Sequence, residues 1–153
     1  MNPAEEIVKH WLQDKGYFLQ SSIRLAHNKE IDILAINKNK DEKLHIEVSV
    51  SVRMANYDKN AVELAEHFSE RKFLSIKDDV ANILGEKYRK TLVVGNVSYK
   101  NKDMLQDFIQ ECDKRDIKVI TIQRILDEIR PSLSTHTYLN SVIKSIQIAQ
   151  VFK

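Results

Sequence analysis

The chain has 153 residues, 42% of them hydrophobic and 30% charged, which is the size of one ordinary domain with enough apolar material for a core. Its 24 basic and 22 acidic residues are interspersed and sum to +2, so charge alone selects neither nucleic acid nor membrane as a partner. The single Cys112 excludes an internal disulfide, five scattered histidines lack paired zinc-ligand spacing, and three glycines leave no phosphate-cradling loop.

No apolar run approaches the roughly eighteen residues of a membrane span. The start MNPAEEIVKHW has neither the basic opening nor the apolar stretch of a secretory signal, so a soluble, cytoplasmic protein with no membrane partner is expected. Asn2 is an N-cap type residue, Pro3 suits a first turn and acids follow; Ile7, Val8, Trp11 and Leu12 keep helical spacing until Gly16. This predicts a helix over about residues 3–15. YFLQSSIRL and EIDILAINK read as strands, and NKNKDE (37–42) as a polar turn. In LHIEVSVSVR (44–53), alternation puts His45, Glu47, Ser49 and Ser51 on one side, and Leu44, Ile46, Val48, Val50 and Val52 on the other. Three neighbouring strands joined by short turns predict an antiparallel meander.

Tyr57 to Phe73 reads as an amphipathic helix with Ala61, Ala65 and Phe68 on one stripe. SIKDDVANILGEKYRK predicts a shorter helix ending near Gly85. TLVVGNV has the continuous apolar character of a buried parallel strand, followed by a helix over about 101–115 and the strand IKVITI, a βαβ unit. QRILDEI is a short helix and RPSLSTHT a linker, which places the domain at residues 1–130. In the remaining 131–153, Leu139, Val142, Ile143, Ile146 and Ala149 keep helical spacing, so a C-terminal helix packs on the body or on a second copy as a homodimer.

Asp32 shares its strand face with Leu34 and Ile36, so it should be partly buried, where an uncompensated carboxylate is costly. A metal or a cationic side chain offsets that cost. An exposed edge-strand Asp, or acids bonded to turn amides and basic side chains, is the alternative.

The order helix, three-strand meander, helix, strand, helix, strand resembles the PD-(D/E)xK nuclease superfamily, the restriction-endonuclease-like fold. AEEIVKHWLQDKGY looks like its opening helix, KEIDILAI like its second strand and HIEVS like its third. The resemblance spans roughly residues 3–130 and implies a mixed β-sheet in α-β-β-β-α-β-α-β order, with an extra C-terminal helix here. It also implies a Mg²⁺ (or Mn²⁺) ion held by Asp32 and Glu47, with Glu5 assisting, and hydrolysis of DNA phosphodiester bonds. The departure is Ser49, which stands where the motif has lysine. Lys72 is the substitute: it continues the stripe 61, 65, 68, and twelve helical residues at about 1.5 Å each return the chain toward Glu47. A lysine snorkelling from the last helical turn is the other reading of that position. An inactive nuclease-fold subunit that binds nucleic acid or assists assembly is the alternative function. A small interaction domain dimerising through its C-terminal helix is a third.

Other residues read more plainly. His45 is expected to be an exposed strand histidine, Glu30 to pair with a surface lysine, and Cys112 to be packed. Lys38, Lys40 and Lys43 in the hairpin turn, with Arg53 and Lys59, either touch phosphates or form solvated surface.

Overall fold

A computed structural model describes residues 2–50, 60–95 and 102–133, together with Ile143 and Ile146. Helix α1 (Pro3–Asp14) starts as its sequence dictates: the Asn2 side chain accepts from the Ala4 N–H at 3.0 Å, and Pro3 lacks an N–H that would need a partner. Gly16 leaves it with φ +86°, a conformation a side chain would strain. Strands β1 (Phe18–Arg24), β2 (Glu30–Asn37) and β3 (Glu42–Ser49) follow as the antiparallel meander.

Helix α2 (Ala61–Phe68) begins at Asn60, whose side chain accepts from the Glu63 N–H at 2.9 Å. The expected start at Tyr57 lies outside the described residues. Nor does the helix run unbroken to Phe73: after Phe68 the chain widens into a π-helical turn (Ser69–Phe73), then tightens through Leu74–Ile76 into α3 (Lys77–Leu84). Strand β4 (Arg89–Val94), helix α4 (Lys102–Asp113) and strand β5 (Ile117–Thr121) complete a sheet of order β1-β2-β3-β4-β5, with β3-β4 and β4-β5 parallel. This five-stranded mixed sheet flanked by helices has the element order that the resemblance implies.

Helix α5 (Ile122–Leu133) overturns one expectation, since Pro131 lies inside it rather than in a linker. A proline removes one helical hydrogen bond. Here Ile125, Ile129 and Leu133, four residues apart, all bury on one side and keep the last turn in register. Burial of such side chains contributes roughly 1.5–3 kcal/mol each, enough to offset that loss.

The sheet separates two cores. On one face Val8, Trp11 and Leu12 of α1 meet Ile33, Leu44, Ile46, Val48 and the buried side of α5; Ile143 is buried in this same cluster. On the other face Leu64, Ala65 and Phe68 of α2 pack with Phe108 and Cys112 of α4 on Leu92 and Val94, while α3 covers Leu34. Strand β3 is therefore covered on both sides. Its exit and that of β4 lie so close that a Cβ on Gly95 would stand 2.3 Å from the Val50 carbonyl oxygen. Only glycine fits there.

Candidate functional site

The β2-β3 ladder stops at the Ile33–Ile46 pair, and the β1-β2 ladder skips Asp32, opposite a Ser22 with φ +53°. Asp32 is thus released from both ladders just where β2 and β3 separate. Side chains take over from backbone pairing there. The Asp32 N–H donates to Glu47 Oε1 at 3.4 Å, and the Val48 N–H donates to Asp32 Oδ2 at 2.8 Å. Asp32 is 8% exposed and Glu47 is 1% exposed, so two carboxyl groups share one buried pocket on the α2 side of the sheet.

Burial holds Glu47 above the ordinary carboxylate range, up to about 9; the adjacent Asp32 adds to this by repulsion, and Lys72 partly offsets it. In the metal-free protein Glu47 carries its proton at neutral pH. The sign of the resulting stability follows from linkage: a folded-state value above the ordinary 4.5 means the native state holds a proton that the unfolded chain has released. Metal-free protein should lose stability as pH rises from about 4.5 through about 9. Glu47→Gln should flatten that slope and raise the midpoint at the alkaline end, as read by thermal melts in a chelator across that range. A wild-type slope that survives the substitution would assign the effect elsewhere.

His45 corrects the sequence reading, being wholly buried instead of an exposed strand residue. Alternation fixed its side of the strand but not what covers that side. Phe73, delivered by the π-helical turn, lies edge-on to the imidazole at 4.9 Å, and Tyr88 flanks it at 6.2 Å. Burial, with Lys90 nearby, lowers its pKa to about 4, so the ring is neutral. His45 Nε2 is 2.7 Å from Glu47 Oε1, the oxygen that also accepts from the Asp32 N–H. An oxygen already accepting favours the tautomer with the proton on Nε2, which leaves the lone pair of Nδ1 without a partner among the described residues. The other oxygen, Oε2, is left to face Lys72.

Lys72 Nζ stands 3.9 Å from Glu47 Oε2, with its side chain 40% exposed. The π-helical turn thus sends consecutive residues to two parts of one cluster, Lys72 to Glu47 and Phe73 to His45. Ser49 lies on the same face, 9% exposed, and brings no charge. Glu5, on α1, lies within electrostatic reach of Asp32; burial raises its pKa first, and the charges of Asp32 and Glu30 raise it further. Glu30 therefore lies within electrostatic reach of this acidic group.

Lys38, Lys40 and Lys43 do not join the site. Lys38 and Lys40 occupy the hairpin turn, at the opposite end of β2 and β3 from Asp32 and Glu47. Lys43 Nζ is tied to the Leu84 carbonyl at 2.7 Å. Arg53 and Lys59 lie outside the described residues. Cys112 is buried, and burial pushes its thiol up to about 12, so it is packing material.

Among the described residues, no three His, Cys, Asp or Glu side chains form a ready cage for a metal ion. Two carboxylates suit a hard ion that keeps most of its waters, as Mg²⁺ does. Likewise no helix among the described residues is long and apolar enough to cross a membrane.

No protein-family profile matches the chain, and no curated protein is significantly similar to it. One similar solved structure is SfsA of Pyrococcus furiosus in complex with Ca²⁺, at 15% identity and a TM-score of 0.33. The match covers 75% of this chain and 52% of SfsA, so this chain spans about half the length of the protein it matches. Similarity at that level carries no inference about this chain.

Proposed function

We propose that this chain is a divalent-metal-dependent phosphodiester hydrolase that cleaves DNA. One observation carries the reading: Asp32 and Glu47 converge in a buried pocket with the Lys72 ammonium 3.9 Å from the second acid. The donor set fits Mg²⁺ or Mn²⁺, being hard oxygens of which one holds a proton in the absence of a cation. When bound, the ion supplies a water acidified toward neutral pH and neutralises charge on the phosphoryl oxygens.

The chain's own groups do the rest. Asp32 stays aimed at the pocket through the Val48 N–H, and His45 holds Oε1 of Glu47 so that Oε2 faces the opening. Lys72 brings the positive charge that Ser49 lacks, from a helix instead of from the strand. Glu5, whose raised pKa makes it a better base than an ordinary glutamate, would accept a proton from the attacking water. Attack on phosphorus breaks one P–O ester bond and leaves a phosphate monoester and a hydroxyl.

Ser49 also favours a second reading, a nuclease-fold protein that binds nucleic acid without cutting it. Plasmid nicking in Mg²⁺ separates the two: cutting that disappears in Asp32→Asn supports the hydrolase, and salt-sensitive DNA binding with no cutting supports the binding subunit.

A further inference from the structure

The opposite face of the sheet holds a separate concavity of about 210 Å³ between α1 and α5, at the starting ends of the parallel strands. Its floor is Trp11, Leu44, Ile46 and Ile120. Lys15, Lys40, Arg89, Lys118 and Arg124 surround it, against two acids, Glu42 and Glu128. Five basic and two acidic side chains leave the hollow a local excess of three positive charges, against +2 for the whole chain.

The two acids are already engaged. Glu128 accepts from Trp11 Nε1 at 2.6 Å and pairs with Lys15 at 3.1 Å and Arg124 at 3.5 Å. Glu42 accepts from the Tyr17 hydroxyl and pairs with Arg89 at 3.6 Å. Lys40 and Lys118 have no acidic partner among the described residues. A concave, low-dielectric wall concentrates such a field and raises the local concentration of anions.

We propose that this hollow is a binding site for a nucleoside monophosphate group, its ring against Leu44 and Ile120 beside Trp11, whose own ring carries the Lys15 ammonium 4.6 Å from its centroid, and its phosphate among the lysines and arginines. The volume lies below the roughly 300–1,000 Å³ of pockets that enclose a whole small ligand, so the hollow takes the ring of one nucleotide while its sugar and phosphate stay at the rim. The group is either a free mononucleotide or the phosphorylated end of a strand. The inference does not depend on the hydrolase reading, because Asp32 and Glu47 lie on the other face of the sheet and at the other ends of β2 and β3.

Trp11 is the single tryptophan of the chain, so its fluorescence reports on this hollow alone. The full chain is titrated with thymidine monophosphate, thymidine, inorganic phosphate and a 5′-phosphorylated oligothymidylate, each with wild type, Lys40→Glu/Lys118→Glu and Asp32→Asn. The expected result is a saturable change with thymidine monophosphate or the phosphorylated oligonucleotide, weak with thymidine or phosphate alone. Charge reversal at 40 and 118 breaks no ion pair among the described residues and should weaken binding at least about tenfold, whereas Asp32→Asn leaves it unchanged. Preference between the first and last ligands identifies the source of the group. No saturable change with either, equal binding of inorganic phosphate, or indifference to the charge reversal would overturn the proposal.

Discussion

Asp32→Asn and Glu47→Gln are each expected to lower Mg²⁺-dependent nicking of supercoiled DNA by about a hundredfold to a thousandfold, since a metal's electrostatic role is worth several kcal/mol at about 1.4 kcal/mol per tenfold. Both changes leave the fold in place. The asparagine oxygen still accepts from the Val48 N–H, which Asp32 Oδ2 meets at 2.8 Å in the native chain. Glu47 is already protonated at neutral pH, so a glutamine amide closely imitates its resting form and still accepts from His45. A lost rate with a melting midpoint in chelator that is not lowered therefore points to the ion rather than to unfolding. Nicking that persists undiminished in both variants would show that any cutting belongs to another protein.

The second large effect concerns Lys72. Lys72→Ala is expected to slow the cleavage step by about a hundredfold or more, the scale on which a single preorganised group at developing charge acts, while DNA affinity changes little. Because Lys72 lowers the Glu47 pKa, its loss should also move the acid limb of the pH–rate profile upward: Glu47 then holds its proton more tightly against the metal. Ser49→Lys in that background returns a cation to the motif position on β3 and should restore part of the rate. An unaffected rate in Lys72→Ala would leave Lys72 a solvent-facing lysine near the end of a helix. Failure of Ser49→Lys to restore anything, with the single variant impaired, would tie the function to the geometry of the π-helical turn.

Strand parity showed which residues share a face within β2 and within β3, but that Asp32 and Glu47 face the same side follows from the register, which pairs Ile33 with Ile46 and Leu34 with His45. The helical stripe 61, 65, 68 pointed Lys72 toward the sheet, although the chain there departs from a regular helix. His45 was not legible. Its cover comes from Phe73 and Tyr88, distant in sequence, and nothing local to HIEVS announces them. A polar residue on a strand already flanked by apolar neighbours on both sides was the available signal. The basic hollow was hidden for the same reason, since its cations come from α1, the hairpin turn, β4, β5 and α5. Pro131 misled because a proline beside serines marks a linker only when no buried stripe continues through it. The antiparallel meander and the βαβ closure were legible because both rest on short-range patterning.

Anomalous diffraction from crystals soaked in Mn²⁺ tests the central claim without relying on any assay. A peak between the carboxylates of Asp32 and Glu47, absent in Glu47→Gln crystals treated identically, is the expected result. No peak there in wild-type crystals, or one unmoved by the substitution, would contradict it.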